Sequence, residues 1–379
     1  MPAYHQMGHD SRNLLTEPHL HIFKGAILSP VNSPEPEVAD ILDNPPRDDF
    51  EFIFDPQLYF PNTDRGFLPQ WSYFPSDVDT ADQGSIEWWT SLVREIAACT
   101  SRLDPDAVCS PAIVPRAFNL EYYDLCRRVA QLLQDEVAAQ ETEVLQTLLV
   151  RLADLAAPAT APEIASLITS SEIRRVYLVL LTDGSPRREL TDVESLKGAL
   201  RLIKFLQQSD IDVLVGFASS DLVLWKAAGA KSAATGKFFN LRRFTPSRWE
   251  PSPEGGGQVP YWLEESVMAF LRDSDVARLR LADHLSPASL RNPYSTDILA
   301  ALDAAPPQPW LGLSWRQYMY WFADCEARID TGQLDPASHL SSADSLWRDL
   351  DLNTILMEER ANDGSWVRAW RRVIAEAFR

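Results

Sequence analysis

The sequence has 379 residues, of which 45% are hydrophobic and 23% charged, and its formal net charge is −19. This length allows one large domain with an addition, or two domains. The negative charge disfavours a protein dedicated to duplex nucleic acid, because an acidic surface repels phosphate backbones. No apolar run reaches the length of a transmembrane helix and no signal pattern opens the chain, so we expect a cytoplasmic protein without a membrane partner.

The cysteines and histidines do not predict a metal centre. The four cysteines form no C-x-x-C pair, which indicates reduced thiols rather than a disulfide framework. His19 and His21 form an H-x-H pair, but no further zinc ligands can be assigned to it. We therefore assign no metal, and any cofactor is unknown at this point.

The first half of the chain mixes loop, strand and helix patterns. Residues 1–18 are polar, and we expect them to form a loose N-terminal arm. Residues 86–103 place apolar side chains on one face and predict a helix, with Ser85 as its N-cap. Residues 119–170 are predicted to be mostly helical, because Leu and Val alternate there with Gln- and Glu-containing stretches.

From residue 176 onward the pattern becomes regular. Apolar strand patterns at 176–181, 213–217 and 233–239 are separated by helical patterns, and residues 191–194 match a capping box that opens the first of these helices. Strands separated by helices are typical of a parallel sheet with right-handed crossovers. Continuous apolar runs indicate strands that are covered on both faces.

Eight strand patterns can be counted, and they lead to a prediction of the fold. The six stronger ones lie at 22–28, 50–54, 108–114, 176–181, 213–217 and 233–239, and the two weaker ones at 71–74 and 259–262. Eight strands suit a (β/α)8-like barrel of parallel strands, and an open doubly wound parallel sheet is the alternative. We prefer the barrel because no dinucleotide-type glycine fingerprint follows any strand. The predicted division is a loose arm at 1–18, an α/β barrel domain at 19–305 and a C-terminal helical region packed on the barrel at 306–379.

Ligands of parallel α/β folds bind at the carboxyl ends of the strands, and this rule selects two candidate catalytic carboxylates. Asp55 follows an apolar strand and precedes a proline, so burial there would raise its pKa toward a value useful for acid–base catalysis. Asp183 follows the strand at 176–181. Each has a structural alternative, since Asp55 could cap the next turn and Asp183-Gly184 could be a plain turn.

A cluster of small and basic residues predicts an anion site. Thr235, Gly236 and Lys237 are followed by Arg242 and Arg243, a combination that suits a phosphate or carboxylate because Gly lets backbone N–H groups approach an anion and the cations neutralise it. The alternative is a strand with a solvated basic end. The other candidate ligand-binding residues follow further strands or lie in the same cluster, namely Gln57, Arg116, Ser219, Ser220 and Asn240.

These patterns lead to two hypotheses of function. The first is a cytoplasmic barrel enzyme that acts on a small anionic or phosphorylated, nucleotide-like ligand by acid–base catalysis from strand-end aspartates. The second is a catalytically inactive barrel that binds a protein partner through its Trp- and Arg-rich C-terminal helices. The sequence contains no G-x-S-x-G, P-loop or H-E-x-x-H motif that would name a reaction.

Overall fold

Eight parallel strands close into a barrel in the computed structural model, which describes residues 3–79, 81–249 and 258–378. In chain order the strands are β1 Tyr4–Gln6, β2 Gly25–Leu28, β3 Glu51–Phe54, β4 Ala107–Cys109, β5 Glu143–Arg151, β6 Arg175–Leu181, β7 Asp212–Gly216 and β8 Ser232–Thr235. The barrel closes because β1 pairs in parallel with both β2 and β8. The predicted (β/α)8 barrel is therefore confirmed, and the chain does not form the alternative open sheet.

A helix follows each of the first seven strands. These helices are α1 Arg12–Leu15, α2 Glu35–Asp43, α3 Ile86–Leu103, α4 Leu120–Glu136, α5 Thr160–Ile168, α6 Val193–Gln208 and α7 Leu222–Ala227. Ser85 caps α3 as predicted, since its hydroxyl accepts a hydrogen bond from the Trp88 N–H at 3.3 Å. The cap of α6 is Asp192, whose Oδ1 accepts from the Ser195 N–H at 2.8 Å.

The predicted number of eight strands is confirmed, but two of the predicted strands, at 71–74 and 259–262, are not part of the barrel. Residues 71–74 form no strand, and the pattern at 259–262 belongs to the antiparallel pair β9 Trp262–Glu264 and β10 Ala269–Leu271, outside the barrel. Residues 4–6 of the predicted loose arm are strand β1, and residues 143–151 of the predicted helical stretch are strand β5. An apolar run such as that of β5 fits a buried strand and a buried helix equally well.

The barrel interior is packed with side chains from all eight strands and from the loops at the carboxyl end. Its apolar members include Tyr4, Ile27, Ile53, Cys109, Leu145, Leu149, Tyr177, Val179, Leu214 and Ala234. A Cβ added to Gly216 would lie 2.5 Å from a ring carbon of Tyr177, so only glycine leaves room for that ring. The interior is therefore a core, and open space for a ligand has to be sought at the strand ends.

Helices beyond the barrel form the C-terminal region. They are α8 Asp273–Leu281, α9 Pro287–Arg291, α10 Ser295–Asp303, α11 Leu311–Asp330, α12 Pro336–Leu352 and α13 Ser365–Glu376. Helix α11 packs against β8, since the Glu326 carboxylate accepts from the Ala233 N–H at 3.1 Å. Trp347, Trp366 and Trp370 are buried, so these rings of the predicted partner-binding helices face the protein's own core. In the part of the chain that the structure describes, no helix is long and apolar enough to cross a membrane.

Candidate functional site

A cavity of about 1120 Å³ opens at the carboxyl end of the barrel. The loops that follow β1, β2, β3, β6 and β8 line it, together with Tyr261 and with Ser314 and Trp315 of α11. Its volume is at the upper end of the range for small-molecule sites, which favours a ligand of several rings or groups over a single ion. Five cationic side chains line this cavity, namely Arg65, Arg187, Lys237, Arg242 and Arg248.

Three of these cations are buried and lack a carboxylate partner. Lys237, Arg242 and Arg248 are 3%, 4% and 4% exposed, and no carboxylate oxygen of the described residues lies within 4.0 Å of their nitrogens. Lys237 Nζ donates to the Asp10 carbonyl at 2.9 Å. Arg242 donates from Nε to the Gly236 carbonyl at 2.9 Å and from Nη2 to the Lys237 carbonyl at 2.6 Å. Nε and Nη2 of Arg248 have no hydrogen-bond partner within the described ranges.

Aromatic rings surround the same three cations. The Arg242 guanidinium lies 3.5 Å from the ring centroid of Tyr318, and Lys237 Nζ lies 4.9 Å from that of Trp315. The Arg248 guanidinium lies 5.8 Å from the Trp249 ring centroid. Burial lowers the pKa of both Arg242 and Arg248 to about 10, so both remain charged at neutral pH. The rings compensate part of the charge by cation–π attraction, which is weaker than a full ion pair.

Asp55 is buried close to this cationic wall. Its Oδ2 accepts from the Tyr59 hydroxyl at 2.7 Å and its Oδ1 from the Gln57 N–H at 3.0 Å. Burial raises the pKa of Asp55 to about 6, although the bonds from Tyr59 and Gln57 and the charge of Arg248 pull it down. Asp55 does not itself line the cavity: it holds Tyr59, whose ring packs at 5.7 Å against the cavity residue Trp249.

The structure does not bring Asp183 into the cavity. Its side chain is 69% exposed, and its Oδ2 lies 3.4 Å from Nη2 of Arg151 at the end of β5. This pair with Arg151 is an exposed surface contact, and Asp183 does not line the cavity. Of the two aspartates proposed from the sequence, only Asp55 lies next to the cavity wall.

Arg243 lies in a separate, neutralised network behind the cavity. Its Nη1 is 2.9 Å from Asp221 Oδ2 and its Nη2 is 3.1 Å from Glu189 Oε2. The Ser220 hydroxyl donates to the same Glu189 carboxylate at 2.5 Å, and the Ser219 N–H donates to Asp221 at 2.9 Å. Arg243, Ser219 and Ser220 therefore tie the loops after β6, β7 and β8 together, and none of them lines the cavity.

Three other residues predicted to bind a ligand, Gln57, Thr235 and Gly236, contact other parts of the protein and do not line the cavity. Gln57 Oε1 accepts from the Ser29 hydroxyl at 3.0 Å and the Val31 N–H at 3.2 Å, which links the loops after β2 and β3. The Thr235 hydroxyl bonds to the Tyr318 hydroxyl at 2.6 Å, toward α11. The space beside the Gly236 Cα is filled by Leu241 and not open to an anion, because a Cβ on Gly236 would lie 2.5 Å from the Leu241 Cβ.

Asn240 and Arg116 end up at different cavities. Asn240 lines the large cavity, and its buried Oδ1 has no hydrogen-bond partner among the residues that the structure describes. Arg116 is exposed and borders a smaller cavity of about 320 Å³, between α3, α4 and the loop after β4. The anion cluster predicted from the sequence therefore divides, and Lys237, Asn240 and Arg242 are the members that share the large cavity.

Sequence reasoning missed Arg65, Arg187 and Arg248, which contribute most of the remaining charge of the cavity wall. They lie in the loops after β3, β6 and β8, several residues beyond the strand ends. The first residues after each strand do not include them, but the whole loops at the carboxyl ends of the strands do, and ligands of barrels bind to these loops.

No protein-family model matches the chain, and no curated protein matches it either. Among solved structures, the chain is similar to a type I 3-dehydroquinate dehydratase from Clostridium difficile with covalently modified comenic acid. That similarity has 10% identity and a TM-score of 0.34 over 65% of this chain and 88% of that chain. The chain is also similar to the IOLI protein with a bound zinc atom, at 11% identity and a TM-score of 0.34, over 66% of this chain and 91% of that chain. At such identities a likeness concerns the fold alone.

Proposed function

We propose that this chain is a barrel enzyme that binds a small anionic or phosphorylated ligand in the cavity at the carboxyl end. The main support is the group of Lys237, Arg242 and Arg248, which are buried, line the cavity and have no carboxylate partner among the described residues. A buried charge without a counter-charge is strongly unfavourable, and an anionic ligand would supply the missing charge. Arginine also forms bidentate hydrogen bonds to phosphate and carboxylate, and Nε and Nη2 of Arg248 have no hydrogen-bond partner among the described residues.

Asp55 is the group that we assign to proton transfer. Its pKa of about 6 lets it both accept and release a proton near neutral pH, as acid–base catalysis requires. The Tyr59 hydroxyl donates to Asp55, and the Tyr59 ring packs against the cavity wall. Tyr59 therefore links Asp55 to the cavity wall, and a small movement of these side chains would bring Asp55 to a ligand.

Sulfate is a suitable probe for the anion site, because it keeps its charge between pH 5 and 8. A ligand that binds only the folded chain raises its stability in proportion to RT ln(1 + [L]/Kd), so sulfate should raise the melting temperature. Arg248→Met should weaken sulfate binding at least tenfold, since a hydrogen bond to a charged group contributes about 1.5–3 kcal/mol. Isothermal titration calorimetry with sulfate on both proteins would measure this.

The matched control is Arg280→Met, because Arg280 is an exposed arginine that pairs with Asp303 at 2.7 Å, away from the cavity. This variant should bind sulfate as the original chain does. Equal weakening by both substitutions would point to a loss of general positive charge and contradict a site at Arg248. No sulfate binding by the original chain would contradict the proposal itself.

A second candidate is a binding protein that performs no reaction, and the position of Asp55 outside the cavity lining favours it. The two are separated by incubating the chain with the anionic ligand found by a thermal-shift screen and following that ligand by mass spectrometry. An enzyme converts the ligand, and Asp55→Asn stops the conversion while binding persists. A ligand returned unchanged by the original chain would favour binding alone.

A further inference from the structure

The large cavity combines buried cations with a half-buried tryptophan, and this combination narrows the class of ligand. We infer that the ligand is a nucleoside diphosphate, with its diphosphate among the buried cations of the cavity wall and its base on the ring of Trp315. This inference rests on the proposed anion site. It specifies two further features of the ligand, namely an aromatic base and two phosphates.

The charge of the wall favours more than one phosphate. Lys237, Arg242 and Arg248 are three buried cations without a carboxylate partner among the described residues. A phosphate monoester carries a charge of about −1.5 to −2 at neutral pH, which leaves part of this positive charge uncompensated. A diphosphate carries more negative charge and offers more oxygens as hydrogen-bond acceptors. Nε and Nη2 of Arg242 donate to backbone carbonyls, and its Nη1 takes part in neither of these bonds.

Trp315 provides a platform for a ring. It is half-buried in the first turns of α11 and lines the cavity, and its one ring contact within the described residues is with Phe238, edge to face at 5.4 Å. Trp249, on the other wall, is only 8% exposed and packs against Tyr59 and Phe60. A planar ligand can therefore lie on Trp315 more easily than on Trp249. Aromatic stacking on a base is tolerant of its identity.

Two further features suit a heteroaromatic ring with hydrogen-bonding edges. Asn240 lines the same cavity, and its buried Oδ1 has no hydrogen-bond partner among the described residues, so a ring N–H or amino group would satisfy this acceptor if the amide turned toward the ligand. Lys237 lies 4.9 Å from the Trp315 ring centroid, so a base stacked on Trp315 would lie near a positive charge. The cavity volume of about 1120 Å³ leaves room for a ring, a sugar and two phosphates together.

The test compares nucleoside diphosphates with inorganic pyrophosphate and with the free nucleosides, by isothermal titration calorimetry on the full chain. The buffer contains EDTA, so that the protein's own cations neutralise the phosphates. At least one of ADP, GDP, CDP and UDP should bind about 5- to 150-fold more tightly than pyrophosphate, which is the range for stacking of one base. The free nucleosides should bind more weakly than either.

Trp315→Leu should reduce the affinity for that nucleoside diphosphate to the level of pyrophosphate and leave the affinity for pyrophosphate within about twofold. Trp315→Phe keeps a ring and should retain most of the advantage, which separates loss of stacking from loss of folding. Trp88→Leu is the matched control, since Trp88 is a half-buried tryptophan of α3 that does not line the cavity.

The outcomes distinguish this inference from the proposal beneath it. If pyrophosphate and sulfate bind but no nucleoside diphosphate binds more tightly than pyrophosphate, the anion site stands and the inference about the base is wrong. The inference is also wrong if Trp315→Leu leaves the advantage intact. If neither sulfate nor pyrophosphate binds, the anion site itself is wrong.

Discussion

Charged side chains are arranged differently at the amino end of the barrel and in the cavity wall at its carboxyl end. At the amino end, Arg175 contacts the carboxylates of Glu51 and Glu143, and Lys24 lies 3.0 Å from Glu51. The Tyr4 hydroxyl completes this cluster, with Arg175 Nη2 donating to it at 2.9 Å. At the carboxyl end, Lys237, Arg242 and Arg248 line a cavity, and none of them lies within 4.0 Å of a carboxylate oxygen of the described residues. The ion pairs at the amino end join β3, β5 and β6, whereas these three cations have no such partner in the described part of the chain.

The pKa values of Glu51 at the amino end and Asp55 at the carboxyl end shift in opposite directions. Burial by itself would raise the pKa of Glu51, but Arg175, Tyr4 and Lys24 outweigh it and the pKa is lowered. Burial raises the pKa of Asp55 to about 6, because its partners are too weak to outweigh it. Folding therefore gains from an ionised Glu51 and loses from an ionised Asp55. Destabilising groups of this kind are tolerated where function requires them.

The largest loss of stability should come from removing the ion pairs of Arg175 at the amino end of the barrel. Arg175→Met leaves the Glu51 and Glu143 carboxylates without their shared cation, and only Glu51 keeps Lys24. Removing one partner of a buried ion pair costs about 3–5 kcal/mol, so the free energy of unfolding should fall by that amount. Urea denaturation followed by circular dichroism would measure it. A fall of less than about 1 kcal/mol would show that the pairing at this end does not hold the barrel.

The pH dependence of stability should identify Asp55. Its pKa is raised from 3.8 to about 6 in the folded chain, so the folded state binds more protons than the unfolded state between these values and stability falls as pH rises through this window. Two pKa units correspond to about 3 kcal/mol. Asp55→Asn cannot ionise, so its free energy of unfolding relative to the original chain should rise by about 3 kcal/mol between pH 3 and pH 8. A constant difference across that range would mean that Asp55 titrates normally.

Arg248→Met should change stability in the direction opposite to Arg175→Met. It removes a buried charge that forms no ion pair with a carboxylate of the described residues, and replacing buried charge with an apolar side chain is often neutral or stabilising. We expect the free energy of unfolding to rise by about 1 kcal/mol in the absence of anions, measured by the same urea denaturation. A clear loss of stability would indicate that Arg248 serves the fold and not a ligand.

The smallest effect on stability should come from Glu143, the most exposed carboxylate of the cluster at the amino end. The Glu143 side chain is 54% exposed, so solvent screens its contact with Arg175. Glu143→Gln should lower the free energy of unfolding by no more than about 1 kcal/mol, and less at high salt. Denaturation at low and high salt would test this, and a loss as large as that of Arg175→Met would mean that Glu143 and not Glu51 is the main partner.

Local sequence patterns predicted most of the barrel, because the elements from residue 176 onward are long and regular. They failed where an element depends on its neighbours. Strand β1 has only three residues and is stabilised by pairing with β2 and β8 on either side. Strand β5 is an apolar run whose conformation is decided by β4 and β6, to which it is hydrogen-bonded.

The sequence by itself determined the fold class and placed Asp55, Lys237 and Arg242 at strand ends, because hydrophobic periodicity and chain direction are local properties. Only the tertiary structure decided which charges are paired. Arg243 forms an ion pair with Asp221 and Arg175 forms one with Glu51, and both pairs join different loops or strands. Arg248 forms no ion pair with a carboxylate in the described part of the chain. Charge neutralisation depends on distances of a few ångströms between residues far apart in sequence, and these distances are set by the closure of the barrel.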